Sequence, residues 1–174
     1  MAKVGYERIE EIENQELAQE RMKKLYEQKG YPADWIDKII RGMAIRQDLT
    51  DERKERNITG QKNYAILTAE ISKATFGMTP SAYKKFKSIP KRSKINLRDH
   101  MTDLELIFTM LGEKVTTEIS KKEKPANLLA NKKVARRGGS VAGKARKDTE
   151  KELGESVASR KNFLFLKEEK RKLK

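Results

Sequence analysis

Residues 63–118 read NYAILTAEISKATFGMTPSAYKKFKSIPKRSKINLRDHMTDLELIFTMLGEKVTTE and hold most of the well-patterned apolar residues in the chain. Ala65, Ile66, Ala69 and Phe76 recur at three- and four-residue steps, which marks one face of a helix. Gly77 stands where that helix should end, in the left-handed conformation that glycine adopts without strain. Thr79 and Pro80 then restart the chain as an N-cap and a first-turn proline, with Tyr83 and Phe86 on one face. Leu97, Met101, Leu104, Ile107, Phe108 and Leu111 form the longest apolar stripe, with Gly112 at its end. Thr102 and Glu105 match a capping box, but the stripe begins upstream at Leu97, so Asn96 is the expected N-cap. Two helices bracketing a short one, their apolar faces buried together, are the expected core.

Working outward, Glu7 to Lys29 predicts a charged helix with a thin apolar seam of Ile9, Ile12, Leu17, Met22, Leu25 and Tyr26, ended by Gly30. A seam this narrow needs a partner surface to hold the helix: the core, a second copy of the chain, or a domain that precedes it in longer relatives. Tyr31-Pro32 opens a further helix whose face is Trp35, Ile36, Ile39, Ile40 and Met43, with Trp35 read as core. Asp51 to Asn57 reads as a separate short helix, and Thr59-Gly60 turns the chain into the central stretch. Downstream, a polar helix is expected from Glu113 to Lys124, ending before Pro125. Asn127 to Arg137 should form another, with Leu128, Leu129 and Ala135 inward, interrupted by Gly138-Gly139. Ser140 then caps Val141 to Leu153, and Gly154 stops it. Phe163 to Leu166 make a short apolar patch ahead of a charged tail.

The expected class is all-α: an irregular multi-helix bundle with a basic, partly extended helical C-terminal region. Its parts would be charged helices over residues 1–60, a helical core over 61–119, and the basic region and tail over 120–174. Of 174 residues 36% are hydrophobic and 38% charged, a balance typical of long, solvent-laced helices. There is no cysteine, hence no disulfide, thiolate nucleophile or cysteine metal site, which suits a reducing cytoplasm. No apolar run approaches the roughly 20 residues needed to span a bilayer. The net charge is +14 but unevenly spread: −1 over residues 1–60, +4 over 61–119 and +11 over 120–174. A basic end on a near-neutral body is the electrostatic mark of a polyanion partner.

Two clusters carry that expectation. Lys132, Lys133, Arg136, Arg137, Lys144, Arg146 and Lys147 surround the diglycine, and Lys91, Arg92 and Lys94 occupy the loop SIPKRSKIN. The diglycine is expected to make a bend between two basic helices where backbone amides and Arg136, Arg137 and Lys144 approach phosphates. Tyr83 and Phe86 offer rings for stacking a base beside the second cluster, or are ordinary core aromatics. Residues 138–145, GGSVAGKA, satisfy G-x-x-x-x-G-K, yet the next residue is alanine where a nucleotide-binding loop needs Ser or Thr for Mg²⁺, and no buried strand precedes it. His100, the sole histidine, has Asp99 and Asp103 nearby but no convergent ligand set, so capping or polar packing is the expected role. No catalytic residue, metal site or cofactor is indicated.

From Asn14 to Leu164 the chain resembles the C-terminal region of the DNA-damage-inducible protein D (DinD) family of bacteria. The resemblance runs through QELAQERMKKLYEQKGYPADWIDKIIRGMAIRQDLTDE, ILTAEISKATFGMTPSAYKKFK, NLRDHMTDLELIFTMLGE and ANKKVARRGGSVAGKARKDTEKELGESVASRKNFL, in that order. Such proteins carry an N-terminal BRO-type domain, thought to bind DNA, ahead of the region seen here. The resemblance implies a non-enzymatic protein of the SOS response that binds single-stranded DNA or the recombinase filament formed on it. The alternative is a phage- or mobile-element-derived inhibitor or regulator whose basic surface engages a host nucleoprotein complex.

Overall fold

The computed structural model describes residues 15–90 and 95–162. The fold is all-α, with no strand among the described residues. Its helices are α1 (Gln15–Gln28), α2 (Ala33–Glu55), α3 (Gln61–Phe76), α4 (Pro80–Phe86), α5 (Asp103–Glu123) and α6 (Leu128–Leu153), with a 3₁₀ turn at Leu97–His100. Two compact units divide the chain, residues 1–43 and 44–174, and the boundary falls within α2.

In the first unit the chain leaves α1 through Gly30 at φ 84°. Tyr31 stacks on Trp35 with ring centroids 4.3 Å apart, and Tyr26 meets Trp35 edge-on at 5.7 Å. Trp35, Ile36 and Ile39 are buried, as the aliphatic spacing predicts. The apolar seam of α1 is largely uncovered: Tyr26 is buried, but Leu17, Met22 and Leu25 are exposed. The expected start of that helix, residues 7–14, lies outside the described residues.

The second unit is built around α3, α5 and α6. Leu49, Ile58, Leu67, Ile71 and Ala135 form its apolar cluster, with Leu128 against it. Several boundaries follow the local signals. Gly77 ends α3 in the left-handed conformation, Thr79 caps α4 by accepting from the Ala82 amide, and Gly154 ends α6. Asn127 caps α6 by accepting from the Ala130 amide at 2.9 Å.

Other expectations fail for identifiable reasons. Asp51–Asn57 is no separate helix, because α2 runs unbroken from Ala33 to Glu55. Asn96 caps only the 3₁₀ turn, while Thr102 and Glu105 close a full capping box at the start of α5. Gly112 stops nothing and lies buried within α5. The buried line of α3 is Leu67, Ile71 and Thr75, at four-residue steps, with Phe76 beside it, whereas Ala65 is exposed. On α5, Ile107 is exposed while Glu105, Glu113, Thr116, Thr117 and Ser120 are buried. The core face of α5 is substantially polar, so an apolar stripe is a poor guide to it.

The diglycine is the largest departure. It lies inside α6, which is continuous from Leu128 to Leu153, and neither bends nor interrupts it. Ala135, Gly138, Gly139, Ala142 and Gly143 form one buried face at three- and four-residue steps. A β-carbon at Gly139 would stand 2.5 Å from the Ile71 carbonyl oxygen, and one at Gly143 2.3 Å from that of Ala74. At Gly138 it would meet the Thr116 backbone at 2.7 Å. These glycines let α6 lie backbone to backbone on α3 and α5. Close packing, and not an anion-binding bend, explains the motif.

Candidate nucleic-acid interface

Packing Gly138, Gly139 and Ala142 inward turns the opposite side of α6 outward. Lys133, Arg137, Lys144, Lys147 and Lys151 follow one another there at steps of three, four or seven residues, all exposed. At 1.5 Å rise per residue the line is about 27 Å long. Among the described residues, no hydrogen bond or ion pair holds Lys133, Lys144 or Lys147, which leaves their charges open. Arg137 donates to Glu123 at 2.8 Å, and Lys151 lies 3.5 Å from Asp148 at the far end.

The remaining expected cations on α6 are engaged elsewhere. Lys132 lies 3.4 Å from Glu70, and Arg136 donates to the same carboxylate through Nε and Nη2 at 3.2 and 3.0 Å. Burial pushes the Glu70 pKa up, but the hydrogen bonds and charges of Arg136 and Lys132 outweigh it and hold the carboxyl below its usual range. Glu70 therefore stays ionised and neutralises much of that pair. Arg146 is half-buried and structural: its Nε donates to the Thr75 carbonyl at 2.8 Å and its Nη1 to Glu150 at 2.5 Å. The line thus gathers Lys133, Arg137, Lys144 and Lys147 from the expected set and sets Lys132, Arg136 and Arg146 aside. Lys151 was missed, although its four-residue step from Lys147 signals it. Lys91, Arg92 and Lys94 lie outside the described residues.

The nucleotide-loop pattern does not converge. Gly143 is buried against α3 while its neighbour Lys144 is exposed, and the diglycine amides are mid-helix. Tyr83 is fully buried and donates to Glu105 Oε1 at 2.6 Å, which removes it as a platform for a base. Burial first, then the Glu105 charge and hydrogen bond, raise the Tyr83 pKa far above its ordinary value. Phe86 is half-buried with the Arg160 guanidinium 5.4 Å from its centroid.

A buried polar network lies apart from these residues, and of its contacts only the Thr102–Glu105 capping box was announced by a sequence motif. Lys87 Nζ, with the side chain wholly enclosed, donates to the Ser159 and Lys161 carbonyls at 2.8 Å and meets Glu105 Oε2 at 2.8 Å. Glu105 also accepts from the Thr102 amide at 2.6 Å and the Ser159 amide at 2.9 Å. Asn162 donates to the Lys87 carbonyl at 2.6 Å. Burial lowers the Lys87 pKa, opposed by its hydrogen bond and charge attraction to Glu105. The network ties α4 and the start of α5 to residues 159–162.

His100 is buried at the end of the 3₁₀ turn, with Nδ1 unpartnered among the described residues. No group of His, Cys, Asp and Glu suited to a metal ion occurs among the described residues. Nor is any described helix long and apolar enough to cross a membrane. In comparisons with known proteins, the chain matches no family model, no curated protein and no solved structure.

Proposed function

We propose that this chain is a non-enzymatic, cytoplasmic nucleic-acid-binding protein that grips a phosphodiester backbone along the outer face of α6. One observation carries the reading: Lys133, Arg137, Lys144, Lys147 and Lys151 stand in single file on the most basic third of the sequence. A single file of cations suits one strand, which favours single-stranded DNA over a duplex. Binding of this kind arises from counterion release and is independent of base sequence. The resemblance to the DinD family supports a setting in the DNA-damage response, on single-stranded DNA or on the recombinase filament that coats it.

The test is fluorescence anisotropy with matched single- and double-stranded oligonucleotides at several salt concentrations. Single strands should bind more tightly, with steep salt dependence, and Lys133→Glu, Lys144→Glu and Lys147→Glu together should abolish binding. Lys29→Glu, Lys62→Glu and Lys73→Glu, an equal charge change at exposed sites elsewhere, should weaken it far less. Absence of binding at low salt, or equal losses in the two triple variants, would overturn the reading.

A second reading is a phage- or mobile-element-derived regulator that docks on a host protein complex. The exposed Leu17, Met22 and Leu25 of α1 favour it, because an uncovered apolar seam suits a protein partner or a second copy of the chain. Sedimentation velocity with Leu17→Glu and Leu25→Glu separates the cases: self-association that these changes abolish assigns the seam to a homo-oligomer.

A further inference from the structure

The second unit contains a pocket of about 200 Å³ that the α6 line does not use. Its lining is mainly apolar, with Ile71, Phe76, Leu97 and Met101 prominent. Three cations, Arg46, Lys84 and Arg98, also line it, and they come from α2, α4 and the 3₁₀ turn. Glu113, buried on α5, is the sole anion on its wall among the described residues. Arg98 Nη2 and Arg46 Nη1 both donate to the same oxygen, Glu113 Oε1, the latter at 3.3 Å.

One carboxylate cannot neutralise this set. Arg53, buried nearby with Nη1 on the Thr68 hydroxyl at 3.2 Å, adds a further guanidinium, and its pKa is pushed down to about 10 chiefly by burial. Burial and the facing Arg98 charge likewise lower the Arg46 pKa, with only Glu113 opposing them. Each guanidinium has five N–H donors. Arg46 and Arg98 each spend one on Glu113, and no described residue takes the others. Lys84 has no hydrogen-bond or ion-pair partner among the described residues. A positive, donor-rich rim therefore stands over an apolar floor.

We infer that this pocket binds a small organic anion: a carboxylate or phosphate-monoester head between Arg46, Arg98 and Lys84, and one compact apolar ring on Ile71, Phe76 and Met101. Arginine forks recognise both heads in a bidentate manner. The size limits the body. Pockets for drug-sized ligands are roughly 300–1,000 Å³, whereas a cavity of about 150 Å³ accepts benzene. A volume of about 200 Å³ therefore matches one ring.

Titration of the full chain with benzoate and phenyl phosphate, followed by the methyl NMR signals of Ile71 and Met101, tests this. Both probes should shift these signals saturably, and the tighter of the two names the preferred head. Benzamide, the ring without charge, and acetate, the head without a ring, should each bind at least about tenfold more weakly. Arg46→Gln should weaken benzoate about tenfold, and Lys84→Gln, which disturbs no internal contact, should weaken it several-fold. The Lys133, Lys144 and Lys147 charge reversals should leave benzoate binding unchanged, so this site and the α6 line fail or stand separately. The inference is overturned if neither probe moves those methyls, if benzamide or acetate matches benzoate, or if Lys84→Gln binds it as tightly as the parent.

Discussion

At the residue scale, the unusual feature is how many buried side chains are polar. Lys87 and Glu105 are both fully enclosed, yet every acceptor and donor around them is matched, so the pair is tolerated inside the unit. Removing one member leaves the other charge stranded. Lys87→Met is therefore expected to cost about 3–5 kcal/mol in urea denaturation, with Lys87→Met/Glu105→Leu less destabilised than the two single changes summed. Simple additivity would mean that the pair is not coupled. His100 gives a pH signature. Burial lowers its pKa from 6.5, opposed by Asp99 and reinforced by Lys87 and Lys84. Below pH 6.5 the unfolded chain then binds a proton that the folded protein refuses, so stability falls with acidification until the folded pKa is reached. His100→Gln should flatten this part of the stability profile between pH 7.5 and 5. An unchanged slope would assign the effect to other groups.

At the element scale, α6 explains itself by what it lacks. Glycines weaken a helix by about 1 kcal/mol each relative to alanine, and a lone helix of this sequence would gain from losing them. In the folded protein the sign reverses. Gly139→Ala and Gly143→Ala drive a β-carbon into the carbonyls of Ile71 and Ala74 and should destabilise by about 1–3 kcal/mol each. Gly112→Ala meets the Thr75 hydroxyl at 3.0 Å, a side-chain contact that can give, and should cost less. Thermal denaturation of the three variants gives the ranking. The start of α5 is legible in sequence once the capping box is weighted above the apolar stripe. Thr102→Ala should cost about 1 kcal/mol, because it releases the Glu105 amide, whereas Asn96→Ala should cost less, as it caps only a 3₁₀ turn.

At the scale of the whole molecule, charge dominates. The net +14 is concentrated beyond residue 119, and α6 converts part of that excess into a line on one face. Each cation of the line that contacts a phosphate should contribute about 0.7 to the slope of log K against log salt on a single strand. Lys144→Gln should reduce the measured slope by roughly that amount, while Arg146→Gln should act mainly on stability, because Arg146 holds the Thr75 carbonyl and Glu150. A slope unchanged in Lys144→Gln would remove that residue from the contact.

Composition and local signals by themselves determined the all-α class, the cap at Thr79, the glycine stops at Gly77 and Gly154, and the concentration of positive charge near the C-terminus. These depend on neighbours within a few residues, and the chain carries that information locally. Only the tertiary structure decided which faces are buried. Gly138-Gly139 resembled a bend until α3 and α5 were seen against it, since a small residue in a helix and one in a turn have the same spelling. The polar core face of α5 and the Lys87–Glu105 network were invisible for a related reason. The Lys87 charge needs partners distant in sequence, here Glu105, Ser159 and Lys161, and nothing at the residue itself announces them. The division of the α6 cations followed the same rule: Glu70 on α3 engages Lys132 and Arg136, and the Thr75 carbonyl with Glu150 holds Arg146.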